Sequence, residues 1–111
     1  MDAGKSQGVV KQIVLIKIKD GIPEDQMDQI IKAYAKLVDL IEPLKAFQWG
    51  RNVSIENRHQ GFTHVFELTF ESLQGIAEYM SHPARLEFDK IAHPTVDKGL
   101  VVTYEPTPVP L

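Results

Sequence analysis

Phe62-Thr63-His64-Val65-Phe66-Glu67-Leu68-Thr69-Phe70 changes character with a period of two. Phe62, His64, Phe66, Leu68 and Phe70 fall on one face, and Thr63, Val65, Glu67 and Thr69 on the other. This spacing predicts a strand with one strongly apolar side. Residues 9–19 alternate in the same way. Val10, Gln12, Val14, Ile16 and Ile18 share a face, while Ile13 and Leu15 share the opposite one with Lys11 and Lys17. Between these strands the period lengthens. Pro23 suits the first turn of a helix, and Glu24 and Asp25 complement its positive end. Met27, Ile30, Ile31, Tyr34, Leu37, Val38 and Ile41 follow at helical spacing, and Pro43 stops the helix.

Residues 46–49 read as a short second strand, and the polar, turn-rich stretch 50–61 as a long loop. After the Phe62–Phe70 strand, Ser72 is a plausible N-cap for a second helix that carries Leu73, Ile76, Ala77 and Met80. Gly75 weakens that helix by about 1 kcal/mol relative to alanine. Pro83 breaks it, and a further helical stretch carries Leu86, Phe88 and Ile91. Residues 99–105 form a fourth strand, with Leu100, Val102 and Tyr104 alternating against Val101 and Thr103. The proline-rich tail 106–111 cannot extend a sheet interior.

The order β-α-β-β-α-β is the split βαβ plan, so the predicted class is α+β, ferredoxin-like. One domain is expected over residues 9–105, between a flexible start, 1–8, and the tail. Helices on one face of the sheet leave the other bare. Ile13, Leu15, Val65 and Val101 are assigned to that bare face, where they would form an exposed apolar patch. A second copy of the sheet is the expected cover, giving a homodimer about a two-fold axis with a barrel-like interface.

Composition narrows the function classes. The chain has 111 residues, enough for one core. It contains no cysteine, which removes disulfides, thiolate metal sites and cysteine nucleophiles. A net charge of -3 without any Lys/Arg run argues against nucleic-acid binding. No apolar run approaches the roughly 20 residues that span a bilayer. Residues 1–8 are polar and hold no apolar signal core, so a cytoplasmic location and no membrane partner are expected. Phosphate-binding glycine motifs and the G-x-S-x-G elbow are absent, and no cofactor requirement is predicted.

The segment Tyr79-Met80-Ser81-His82-Pro83-Ala84-Arg85 groups a phenol, an imidazole and a guanidinium at a broken helix end. Tyr79 and His82 are either an acid–base pair or ordinary helix-end residues, the ring packed on the core and the imidazole capping the last carbonyls. His64 is either a pocket base or a hydrogen-bonded core histidine. Arg85 either binds an anion bidentately or pairs with Glu78 or Asp89 on the helix surface. His59 and His93 fall in a loop or at a helix end, and the histidines show no pairing suited to zinc.

Several blocks together resemble the plant stress-responsive dimeric α/β-barrel family. They are Ala46-Phe47-Gln48-Trp49-Gly50, Val53-Ser54-Ile55-Glu56-Asn57, His59-Gln60-Gly61-Phe62-Thr63-His64, Thr69-Phe70-Glu71-Ser72 and His82-Pro83-Ala84. The resemblance runs over about 10–104. It implies a homodimer with a pocket between helices and sheet, and a stress-responsive or defence role that includes antifungal activity in one branch. In a polyketide cyclase branch, a histidine acts as base in an intramolecular aldol closure and a tyrosine assists. The tyrosine falls on Tyr79, the base on Arg85, and a second pocket histidine on Gln12. His64 and His82 match family histidines, and Tyr34 and Phe88 match pocket-lining positions. An arginine stays charged and cannot serve as the base.

The leading expectation from the resemblance is therefore a stable homodimeric stress or defence protein with no established catalysis. The alternative is a cofactor-independent cyclase with Tyr79, His64 and His82 as its catalytic groups. Tyr34, Arg85, Phe88 and Gln12 would then contact a small apolar or polyketide-like ligand. The resemblance also implies a structural or incidental magnesium ion on the backbone carbonyls of Val38, Ile41 and Leu44.

Overall fold

The computed structural model describes residues 9–56 and 59–110. The expected flexible start, 1–8, lies outside the described residues, as do Asn57 and the last residue of the tail. Strand β1 (Val10–Ile18) leads into helix α1 (Glu24–Leu40), then β2 (Leu44–Arg51) and β3 (His64–Phe70). Helices α2 (Leu73–Ser81) and α3 (Pro83–Ala92) follow, then a 3-10 turn, His93–Thr95, and β4 (Val96–Tyr104). The four strands form one antiparallel sheet in the order β2-β3-β1-β4. This is the ferredoxin-like α+β plan that the alternating periods predict.

Register fixes which side each strand shows to the helices. Val14 stands opposite Phe66 on β3 and Val101 on β4, and Gln12 stands opposite Leu68 and Thr103. Directly opposed residues share a face. Val101 and Thr103 therefore look toward the helices, which corrects the assignment of Val101 to the bare face. Leu100 and Val102 oppose Leu15 and Ile13 and take that place. Alternation alone missed this, because β4 is apolar on both sides. The bare face thus carries Ile13, Leu15, Val65, Leu100, Val102 and Tyr104, with Leu100 48% and Val102 49% exposed.

Further expectations shift: β2 runs Leu44–Arg51 rather than 46–49, and β4 runs Val96–Tyr104 rather than 99–105. Strand β3 begins at His64, not Phe62. Gln60 and Gly61 both adopt positive φ just before it, and this turn sends the Phe62 ring to the bare side, beneath the Lys98 ammonium at 4.7 Å. Helix α2 buries Ile76 and Tyr79 and leaves Leu73 and Met80 exposed. Gly75 faces Pro43 there, and a Cβ on it would sit 3.1 Å from the proline Cβ. The glycine that weakens the helix thus lets it pack closely. In α3 only Phe88 is buried, and Leu86 and Ile91 are exposed.

Ser72 caps α2 as predicted, accepting from the Gly75 amide at 3.0 Å. His82 does the reverse of the expected carbonyl cap. Its Nδ1 accepts from the Ala84 amide at 3.0 Å and caps the start of α3. The core joins α1 to the sheet through Ile30, Tyr34, Leu37, Phe66, Leu68 and Phe70. Among the described residues no helix is long and apolar enough to cross a membrane.

Candidate functional site

Tyr79 lies in the last turn of α2, only 1% exposed, its ring set edge-on against Phe70 at 5.1 Å. Pro83 then turns the chain, and the first turn of α3 brings Arg85 back over that ring. The Arg85 carbon Cζ lies 5.3 Å from the ring centroid, and Nε donates to the Tyr79 hydroxyl at 3.4 Å. Tyr34 enters from α1. Its ring stacks on Phe88 at 4.6 Å and tilts against Phe66 at 4.9 Å.

Electrostatics follow from this packing. Burial pushes the Tyr34 phenol well above its ordinary pKa; Tyr79 and Asp89 reinforce the shift and Arg85 opposes it. For Arg85, burial works to lower the pKa, but the Tyr79 hydroxyl outweighs it, with Asp89 and Tyr34 adding to the rise. The site therefore holds a neutral phenol beside a permanent cation.

These side chains line a cavity of about 580 Å³ between the helices and the sheet. Val14, Ile16, Ile30, Phe66, Ile76 and Phe88 supply its apolar wall. Gln12, Tyr34, Tyr79, Arg85, Asp89, His93, Thr95 and Thr103 supply polar atoms. Gln12 Nε2 donates to Thr103 Oγ1 across β1 and β4 at 3.4 Å.

Of the residues singled out from the sequence, Gln12, Tyr34, Tyr79, Arg85 and Phe88 come together in this cavity, and His64 and His82 are not among its lining residues. The ring of His64 lies beside those of Trp49 and Phe66, stacked on each at 6.0 and 6.2 Å. Thr63 Oγ1 donates to the Ile16 carbonyl, so the 2.7 Å contact to His64 is an Nδ1–H donating to Thr63. His64 Nε2 is then a bare acceptor, buried without a partner among the described residues. Burial first, and Arg51 second, lower the His64 pKa against the opposing pull of Glu24. Asp89 and His93 join the cavity unpredicted. The signal was the fourfold spacing Arg85, Asp89, His93, which places all three on one side of α3 and its extension.

The implied magnesium carbonyls lie at the α1–β2 junction. The Ile41 carbonyl accepts the Leu44 amide at 3.1 Å. Three neutral carbonyls, one of them already engaged, do not by themselves fit a tightly held resident cation.

The model of the stress responsive A/B barrel domain matches residues 10–106. The chain belongs to that family. The stress-response A/B barrel domain-containing protein HS1 of Arabidopsis thaliana is 52% identical over 96% of this chain and 98% of its own length. Olivetolic acid cyclase of Cannabis sativa is 37% identical over 87% of this chain and 96% of its own. Among solved structures, a hydroxynitrile lyase from Passiflora edulis superposes with a TM-score of 0.84 at 33% identity, covering 92% of this chain and 99% of the lyase. A Bacteroides fragilis protein of unknown function, described as dimeric with a ferredoxin-like fold, gives 0.68 at 25% identity over 89% of this chain and 97% of its own. Family membership accounts for the shared fold, and two of these relatives are named as enzymes.

Proposed function

We propose that this protein acts in a stress or defence response as a homodimer that binds a small, mainly apolar, polyketide-like compound between its helices and its sheet. The observation that carries this reading is the cavity of about 580 Å³, apolar along one wall with a few convergent polar groups. Small-molecule sites commonly enclose about 300–1,000 Å³ with this mixture of linings. The bare face supports the homodimer, since Leu15, Val65, Leu100 and Val102 would otherwise leave a broad apolar surface in water. The dimeric Bacteroides fragilis neighbour points the same way. A cytoplasmic location and the antifungal role implied by the resemblance belong to the same reading. Calorimetric titration with a neutral alkylresorcinol tests the cavity. Saturable binding that Phe88→Trp abolishes is expected, and no binding by the wild-type protein ends the reading. Growth inhibition of fungal cultures by the purified protein checks the defence role.

A second reading, cofactor-independent carbon–carbon bond chemistry, is favoured by one observation: His93 and Tyr79 line the same cavity. In an aldol closure a base removes an α-proton, the enolate carbon attacks a ketone, and the resulting alkoxide takes up a proton. His93 is the imidazole placed to accept the first proton, and Tyr79, beside Arg85, to deliver the second. His82 is held by the Ala84 amide and His64 by its aromatic neighbours, so neither serves as well. Incubation with linear β-polyketide thioesters of several lengths tests this. Ring closure that slows in His93→Ala supports it, and inert wild-type protein rejects it.

A further inference from the structure

We infer that the cavity selects an acidic ligand, a small aromatic or unsaturated carboxylic acid whose carboxylate is read by Arg85. This rests on the proposed binding role of the same cavity and names the class of compound it takes. The guanidinium is half-buried against a cavity walled by Val14, Ile30, Phe66 and Ile76. Its one hydrogen bond among the described residues runs from Nε to a neutral phenol. The ion pairs of the described residues use Lys17, Lys45, Arg51 and Lys90 and leave Arg85 out. A guanidinium offers five N–H donors in a planar fork that matches a carboxylate. Here the terminal Nη groups remain for a guest. A cation set beside an apolar wall loses solvation, and a guest carboxylate would meet the Nη donors that no side chain of the described residues takes.

Asp89 is the competing feature. It stands one turn along α3 and lines the same cavity, yet it forms no ion pair with Arg85 among the described residues. Its charge weakens the hold on an anion without taking up the fork. The Tyr79 hydroxyl holds Nε and the ring supports the guanidinium plane, so the fork is oriented before a ligand arrives.

The test is calorimetric titration of the full-length protein with 2,4-dihydroxybenzoate and, separately, with 2,4-dihydroxybenzamide, which has nearly the same shape without the charge. The acid is expected to bind about tenfold or more tightly than the amide, as charge-assisted pairs allow. Arg85→Gln should erase that preference while still binding the amide, and Asp89→Asn should increase it. Equal affinity of the wild type for the two compounds, or a preference that survives Arg85→Gln, overturns the inference and leaves the binding role standing. Failure of both compounds and of the alkylresorcinol to bind overturns the inference and the binding role together.

Discussion

The Arg85 guanidinium lies over the Tyr79 ring, 5.3 Å from its centroid, and donates through Nε to the hydroxyl of the same residue at 3.4 Å. One tyrosine thus holds the arginine by both face and oxygen. Tyr79→Phe keeps the ring on Phe70 and removes only the oxygen. We expect a loss of about 1 kcal/mol in stability, the scale of one net hydrogen bond, and a weaker acid-over-amide preference. Thermal unfolding and the titration above check the two effects, and an unchanged preference would show that the hydroxyl does not orient Arg85.

His64 makes stability depend on pH with a definite sign. Its folded pKa is lowered, first by burial and then by Arg51. An unfolded imidazole takes up a proton near about 6.5. Below that pH the unfolded chain binds a proton that the folded chain resists, so stability is fully present above it and is lost as pH falls through the folded value. The melting temperature should drop between about pH 7.5 and about pH 5.5, and less steeply in His64→Phe, whose ring suits the space beside Trp49 and Phe66. Parallel slopes would exclude His64 as the source.

The bare face makes association sensitive to single charges. Val102→Glu places a carboxylate opposite Ile13 in the middle of the apolar patch. Sedimentation velocity should find dimers for the wild type and monomers for the variant, and the wild-type melting temperature should rise with concentration. A wild type that stays monomeric at micromolar concentration would remove the homodimer.

The His82 imidazole accepts from the Ala84 amide, so its first duty is to begin α3. His82→Ala should cost about 1 kcal/mol, and His82→Asn, which can also cap, should recover most of it with ligand binding unchanged. Chemical denaturation measures both. A loss of binding in the asparagine variant would return His82 to the site.

Phe88 is the ring on which Tyr34 stacks, at 4.6 Å. Phe88→Ala should destabilise by about 3 kcal/mol and loosen the fit of any ligand, because both the transferred area and the cavity enlarge the loss. Denaturant midpoints and titration together check it.

Much of this architecture was legible in residue spacing. The period-two runs through Val14 and Phe66 and the helical stripe through Ile30 and Tyr34 placed the layers correctly. The parity of β4 was not legible, because Leu100, Val101 and Val102 are all apolar and only pairing with Leu15 and Val14 assigns their sides. His64 was placed on the correct face, but there it stacks on Trp49 of β2, and the pairing of β2 with β3 is not encoded in spacing. The exposure of Leu73 and Met80 follows from a close approach of Gly75 to Pro43, two residues far apart in the chain. Arg85 could be read either way until the break at Pro83 set its direction.

Strand β4 lies at the sheet edge, and its consecutive residues look opposite ways. Val101 and Thr103 border the cavity, while Leu100 and Val102 face the side where a mate would dock. A shift of this single ribbon would reach both sides at once. If the proposed homodimer forms and the cavity fills, then by thermodynamic reciprocity whatever an occupant adds to the grip between subunits, pairing must add equally to the retention of the occupant.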